Sequence, residues 1–145
     1  MPQNIHFFSE EISFNLKHKT TLRNWIKRVV QNEQQEIEDL NFIFCSDEYL
    51  LAVNQEYLNH DYFTDIITFD NREEVNAPIS SDIFISIDRV RDNSKNHSTT
   101  FDQELHRVMI HGVHHLLGQG DKTDSEKVQM RKREEASLSL LTIPK

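Results

Sequence analysis

A chain of 145 residues is the size of one domain, and its 24 acidic against 16 basic side chains leave a net charge of −8. That balance argues against a surface built mainly for nucleic-acid phosphates, although a local positive groove stays compatible with it. Apolar residues at 37% supply a single core, while three glycines and three prolines exclude fibrous and loop-rich architectures.

The one cysteine, Cys45 in "FIFCS", rules out an internal disulfide framework, fits a reducing compartment and is expected as a buried thiol. No apolar run approaches the roughly 20 residues of a membrane span. The start "MPQNIHFFSEE" has neither the basic opening nor the apolar stretch of a secretion signal. A cytoplasmic protein is expected, folded as one domain over residues 1–145.

In chain order, "IHFF" and "ISFNL" alternate and read as short strands. "TTLRNWIKRVVQN" places Leu22, Trp25, Ile26, Val29 and Val30 on one helical stripe, with Thr20 or Thr21 as its cap. "LNFIFC" reads as a strand, and "SDEYLLAVNQEYL" as a helix capped by Ser46, with Asp47 and Glu48 in its first turn. Thr64–Asp70 and Asp82–Asp88 read as strands, the second with Ile83, Ile85 and Ile87 on one face. A short polar helix is placed at Arg89–Asn96. Two helices close the chain, with capping-box pairs Thr100/Gln103 and Thr123/Glu126, and Gly118 ends the first of them. Strands and helices mix without a regular alternation, so the fold class is α+β.

Chemistry concentrates in "HGVHHLLGQGD". His111 and His115 lie one turn apart on the edge of the apolar stripe formed by Leu105, Val108, Met109, Gly112 and Leu116. His114 and His106 fall off that line. Histidine pairs at this spacing also occur on ordinary helix faces. Here the helix stops at Gly118, and Asp121 follows in a turn that can swing its carboxylate back. Two imidazoles and one carboxylate make a three-ligand set that leaves a fourth position open, as catalytic zinc sites do.

This segment resembles the signature of the YbeY family of endoribonucleases, H-G-x-x-H-L-x-G-x-D-H, in which three histidines bind zinc. His111, Gly112, His115, Leu116 and Gly118 match, and Asp121 stands where the third histidine would be. "TDIITF" is similar to the family's T-D-V-L-S-F, and "SSDIFIS" to G-D-I-x-I-S with Ser81 in place of glycine. The likeness runs from about Leu50 to Leu141. It implies a zincin-like single domain, a mixed four- to five-stranded sheet packed with about five helices. It also implies one Zn²⁺ per chain, other divalent transition metals being able to use the same ligands. The implied activity is single-strand-specific endoribonuclease action on ribosomal RNA, at the 3′ end of the small-subunit RNA and in ribosome quality control, with the small subunit as partner. One departure is Leu58 after Tyr57, where the family carries an arginine. Arg72, Arg89 and Arg107 are candidates, by availability alone, to take over phosphate contacts, against the plainer reading of each as a solvated surface arginine.

Gly112 stands where H-E-x-x-H peptidases have their glutamate base, so no protein base is assigned and water on the metal is the expected nucleophile. Asp65 and Asp82 are candidates to orient a ligand histidine, or are simply polar residues at strand starts. The competing readings are a metallopeptidase-type zinc hydrolase and a ribosome-associated binding module whose zinc is structural.

Overall fold

Residues 4–143 are described in a computed structural model; the first three and last two residues of the expected 1–145 domain lie outside them. β1 (Ile5–Glu10) runs parallel to β2 (Ile37–Cys45), joined through α1 (Lys19–Asn32). After α2 (Asp47–Leu58), β3 (Ile66–Asp70) pairs antiparallel with β4 (Ile79–Ser86), and β4 lies parallel to β2. The sheet order is β1-β2-β4-β3, so β1 and β3 are its edges. α3 (Ile87–Asn96), α4 (Phe101–Leu116) and α5 (Asp124–Ser139) complete five helices on a mixed four-stranded sheet, within the expected α+β range. Among the described residues no helix is long and apolar enough to cross a membrane.

One sheet face carries Ile5, Leu40, Phe42, Phe44, Ile79, Ile83 and Ile85, and packs with α1 and α4 into the main core. The α1 stripe of Leu22, Trp25, Ile26, Val29 and Val30 is buried as its spacing predicts. Trp25 Nε1 also donates to the Ser137 carbonyl at 2.7 Å, tying α1 to α5. The opposite face carries Cys45 and Ile67 under Leu50 and Val53 of α2. Burial, reinforced by Asp47 and Asp88, pushes the Cys45 thiol up to about 12, so it supplies no thiolate at neutral pH.

Local signals were met closely at three caps. Ser46 accepts from the Tyr49 amide at 3.1 Å, and both capping boxes form reciprocally at Thr100/Gln103 and Thr123/Glu126. Elsewhere tertiary demands moved the boundaries. Residues 12–16 form no strand: Glu11 turns the chain at φ 59°, and Ile12, Phe14 and Leu16 then pack onto the core without a ladder partner. Their alternation records burial, not pairing. α1 starts at Lys19, behind His18 in a left-handed conformation, and neither Thr20 nor Thr21 caps it. β2 begins at Ile37, before the apolar run. β4 is shifted toward the N-terminus of its expected span, because Ser86 accepts from the Arg89 amide and starts α3 at Ile87. Ile87 stays buried near Ile83 and Ile85, so the apolar face is kept while the backbone changes from strand to helix.

α4 crosses the sheet at Gly112, where a Cβ would stand 2.9 Å from Ile66 Cδ1, 3.1 Å from Ile83 Cδ1 and 3.2 Å from Thr68 Oγ1. The absent side chain is what lets the helix lie this close to β3. Gly112→Ala is expected to cost about 1–3 kcal/mol through overpacking, read as a lower urea midpoint. Ile66→Val removes the nearest obstructing methyl, and should recover part of that loss in the double variant; purely additive costs would show that the contact is not the cause.

Candidate metal centre

α4 holds the His111 and His115 rings on one side, with ring centroids 4.6 Å apart and planes at 81°. The helix then ends in a Schellman pair: the Gly118 amide bonds the His115 carbonyl at 3.0 Å, and the Gln119 amide bonds the His114 carbonyl at 2.9 Å. Gly118 has φ 98°, a conformation that a residue with a Cβ rarely adopts. Arg72 donates to the next free carbonyl, that of Leu116, at 2.7 Å. This ending turns the chain back on itself, and Asp121 reaches the rings.

His111 Nε2 and His115 Nε2 lie 3.2 and 3.4 Å from the same atom, Asp121 Oδ2. A charge-assisted N–H···O bond is shorter, about 2.7–2.9 Å. Two donors of one tetrahedral zinc, each bonded at about 2.0–2.1 Å, stand about 3.3 Å apart. The observed spacings match that edge length, and all three donor atoms lie within 4.8 Å of one another. The donor set is therefore one that a divalent transition metal fits. Among the described residues no fourth His, Cys, Asp or Glu joins the group. The three side chains are 18%, 31% and 39% exposed, and open onto a cavity of about 600 Å³.

Behind the rings stands a residue that the sequence reading missed. His111 Nδ1 donates to Glu134 Oε2 at 2.6 Å, which leaves Nε2 for the donor cluster. Glu134 Oε1 accepts from Arg107 at 3.1 Å, and Arg107 also pairs with Glu104, whose carboxylate lies 3.6 Å from His97 Nδ1. Glu104 and Glu134 are almost fully buried. Burial alone would raise the Glu134 carboxyl, but the hydrogen bond and charge of His111, with Arg107, outweigh it and hold it below the ordinary range. The usable signal was faint: Met130, Glu134 and Ser137 form the buried stripe of α5, with one acid inside it.

The other expected residues divide. Asp65 lines the cavity beside His111; burial pushes its carboxyl up, against the lowering influence of His111 and Arg107. Asp82 does not line the cavity. Its carboxylate accepts from Asn41 and Asn71 at 3.0 and 3.3 Å, because its position in β4 faces Asn41 of β2. None of the three arginines is free for phosphate. Arg72 forks onto Asp70 at 2.9 and 2.7 Å, Arg89 pairs with Asp47 at 2.6 Å, and Arg107 sits between its two glutamates. His114 points away, into the α5 contact, with Nε2 at 2.8 Å from Ser137 Oγ; burial lowers its pKa. His106 is buried near Trp25.

Fold and site together define a class: a single-domain α+β protein carrying a possible metal-binding group of hydrolase type on its central helix. The profile of the endoribonuclease YbeY family matches residues 4–142. An endoribonuclease YbeY from Cytophaga hutchinsonii is 51% identical over 138 residues, covering 95% of this chain and 96% of the relative. One from Christiangramia forsetii is 45% identical over 139 residues, covering 96% and 95%. In fold, the chain is similar to the solution structure of a Thermotoga maritima protein, with TM-score 0.64 and 24% identity over 94% of this chain and 90% of that one. This chain belongs to the endoribonuclease YbeY family.

Glu134→Gln keeps an acceptor for His111 but removes the charge behind it. Metal affinity, measured by competition with a chromogenic chelator, is expected to fall about 10- to 100-fold while the fold persists by circular dichroism. Unchanged affinity would mean that Glu134 serves packing alone.

Proposed function

We propose that this chain is a zinc-dependent endoribonuclease that cleaves single-stranded RNA, with the metal held by His111, His115 and Asp121. The convergence of both Nε2 atoms on Asp121 Oδ2 carries this reading. Its setting is ribosomal RNA maturation at the 3′ end of the small-subunit RNA and ribosome quality control, in the cytoplasm, with the small subunit as partner. The whole chain, 1–145, acts as one unit. Relatives named as endoribonucleases at up to 51% identity over most of the chain support the activity.

Bound there, zinc supplies Lewis acidity toward a phosphoryl oxygen and makes water more acidic. The protein's own groups do the rest. Glu134 fixes the His111 ring so that Nε2 faces the donor cluster. Asp70 is tied to Arg72 and Asp121 belongs to the donor set, which leaves Asp65 as the cavity carboxyl free to exchange a proton with a leaving oxygen. Its hydrogen-bond contact is a long one, 3.4 Å, from Asn93. Lys122 is the only lysine or arginine among the residues lining the cavity.

One observation favours a second reading. β3 is an open strand edge whose Ile66, Ile67 and Thr68 line the cavity, and extended peptides pair with such edges. Gly112 in place of the peptidase glutamate argues against it. A structural zinc is disfavoured because the three donors open onto the cavity with no fourth protein donor among the described residues.

The test is the purified chain with its metal content measured, assayed on a single-stranded oligoribonucleotide, its duplex and an unstructured peptide. Cleavage of the single strand alone is expected, falling to background in His111→Ala and His115→Ala together with metal loss. Peptide cleavage would select the second reading. Asp121→His replaces a carboxylate with a neutral ligand, raises the charge of the site by one and strengthens the Lewis acid. That variant should stay active, with its pH optimum moved to lower pH than wild type; an unmoved optimum would show that the ligand's charge does not set it.

A further inference from the structure

Four of the exposed large apolar side chains fall within seven residues: Tyr57, Leu58, Tyr62 and Phe63. Leu58 and Tyr62, with His60 between them, line the cavity that holds the candidate metal centre, while Tyr57 packs edge-on to Phe69 and Phe63 lies under the Arg89 guanidinium. His60 and Tyr62 are already stacked, with centroids 5.1 Å apart and planes at 21°, and the Tyr62 hydroxyl meets His60 Nδ1 at 3.0 Å. Tyr62 remains 55% exposed, so the pair keeps an open aromatic surface toward solvent.

The loop carrying the pair is held in place. Asn54, itself buried, donates its side-chain amide to the Tyr62 carbonyl at 2.9 Å. The His60 amide bonds the Asn54 carbonyl at 3.1 Å, and Gln55 Nε2 donates to Asp61 Oδ1 at 2.6 Å. Asn59, at φ 55°, makes the turn out of α2. A preordered ring pair loses little freedom on binding, which favours a flat ligand.

Charge narrows the ligand further. The cavity lining has Asp65, Asp70 and Asp121 against Lys122, and the three nearby arginines are committed to carboxylates. An RNA strand entering here finds little to neutralise its phosphates, but it finds aromatic faces. We propose that the His60–Tyr62 pair is a stacking subsite for one unpaired nucleobase of the RNA substrate, and that this stacking supplies the selectivity for single strands. Bases in a duplex keep their faces covered by their neighbours, whereas an unpaired base can be splayed onto the rings. The inference rests on the endoribonuclease reading above and names how that site takes hold of its substrate.

The test uses the full chain loaded with zinc and an unstructured oligoribonucleotide in which a single abasic ribose is walked along the strand. In wild type, one or two abasic positions should weaken binding about 5- to 100-fold, the worth of one stacked base. Tyr62→Ala should weaken the intact strand by a similar factor and lose its sensitivity at those positions, because the variant and the abasic site delete the same contact. Tyr62→Phe keeps the ring and should retain the affinity. Phe8→Ala, an exposed aromatic on edge strand β1, should change nothing. Binding should depend weakly on salt, with a log–log slope near −0.7 for each of about one or two phosphate contacts. A flat abasic scan in a wild type that still cleaves the strand overturns the subsite and spares the nuclease reading. No cleavage by zinc-loaded wild type overturns both. Loss of activity in Tyr62→Ala on ribosomal particles but not on free RNA would assign the rings to a protein partner and overturn the proposal.

Discussion

Two rings set one turn apart on α4, edge to face, present two donors on the same side of a point, and the third must come from backbone that has already left the helix. The ending of α4 therefore governs the rest. A helix terminus leaves carbonyls without partners, and here they are met by the Gly118 and Gln119 amides and by Arg72. The positive φ of Gly118 makes the reversal tight enough for Asp121 to arrive within three residues. Arg72 does more than satisfy a carbonyl. Its fork to Asp70 ties the end of β3 to the end of α4, so the strand and helix that flank the cavity are joined through one guanidinium. With Gly112 allowing close contact between the same two elements, the donors stand on a platform that is fixed from both ends.

Charge is arranged in layers around that platform. Asp121 faces the cavity, while Glu134 and Glu104 lie buried behind His111 with Arg107 between them. The three carboxylates exceed the guanidinium by two negative charges, which a divalent cation would balance. Two nearly buried glutamates sharing one arginine are costly to desolvate, and an arrangement of this kind is better suited to fixing a geometry than to stabilising the fold. Its geometric effect is to hold one tautomer of His111, with Nε2 toward the cavity. An acidic protein of net charge −8 thus places some of its acids around a group of side chains that could hold a metal cation.

What the sequence made legible was local. The α1 stripe, the Ser46 cap and both capping boxes depend on neighbours within a few positions and are found as expected, and the His111–His115–Asp121 spacing brings those three side chains together. What it hid was pairing across long separations. Glu134 lies 23 residues from His111, inside a run of charges that looks solvated all along α5. Arg89 looked available because its carboxylate partner Asp47 is far from it in sequence, as Glu134 is from Arg107, whereas the Arg72–Asp70 and Arg107–Glu104 pairs are local. The failed strand at 12–16 has the same origin. Alternation shows which residues are buried, and cannot say whether a neighbouring strand is there to bond with.

Leu58, where the resemblance leads one to expect an arginine, takes on a different meaning once these pairings are known. Filling the vacancy from elsewhere would mean detaching Arg72 from Leu116, Arg89 from Asp47 or Arg107 from the ligand-supporting glutamates. The first and last of those would disturb the metal platform itself. The loop after Leu58 instead supplies His60 and Tyr62, which hold their geometry without borrowing from any of these ion pairs. A guanidinium attracts any phosphate, paired or unpaired, whereas a ring discriminates between stacked and free bases. Exchanging the one for the other gives up part of the attraction to RNA in general and keeps the preference for strands whose bases are exposed. That trade is consistent with a cavity where acids outnumber bases and with a candidate metal centre whose neighbouring arginines are already paired.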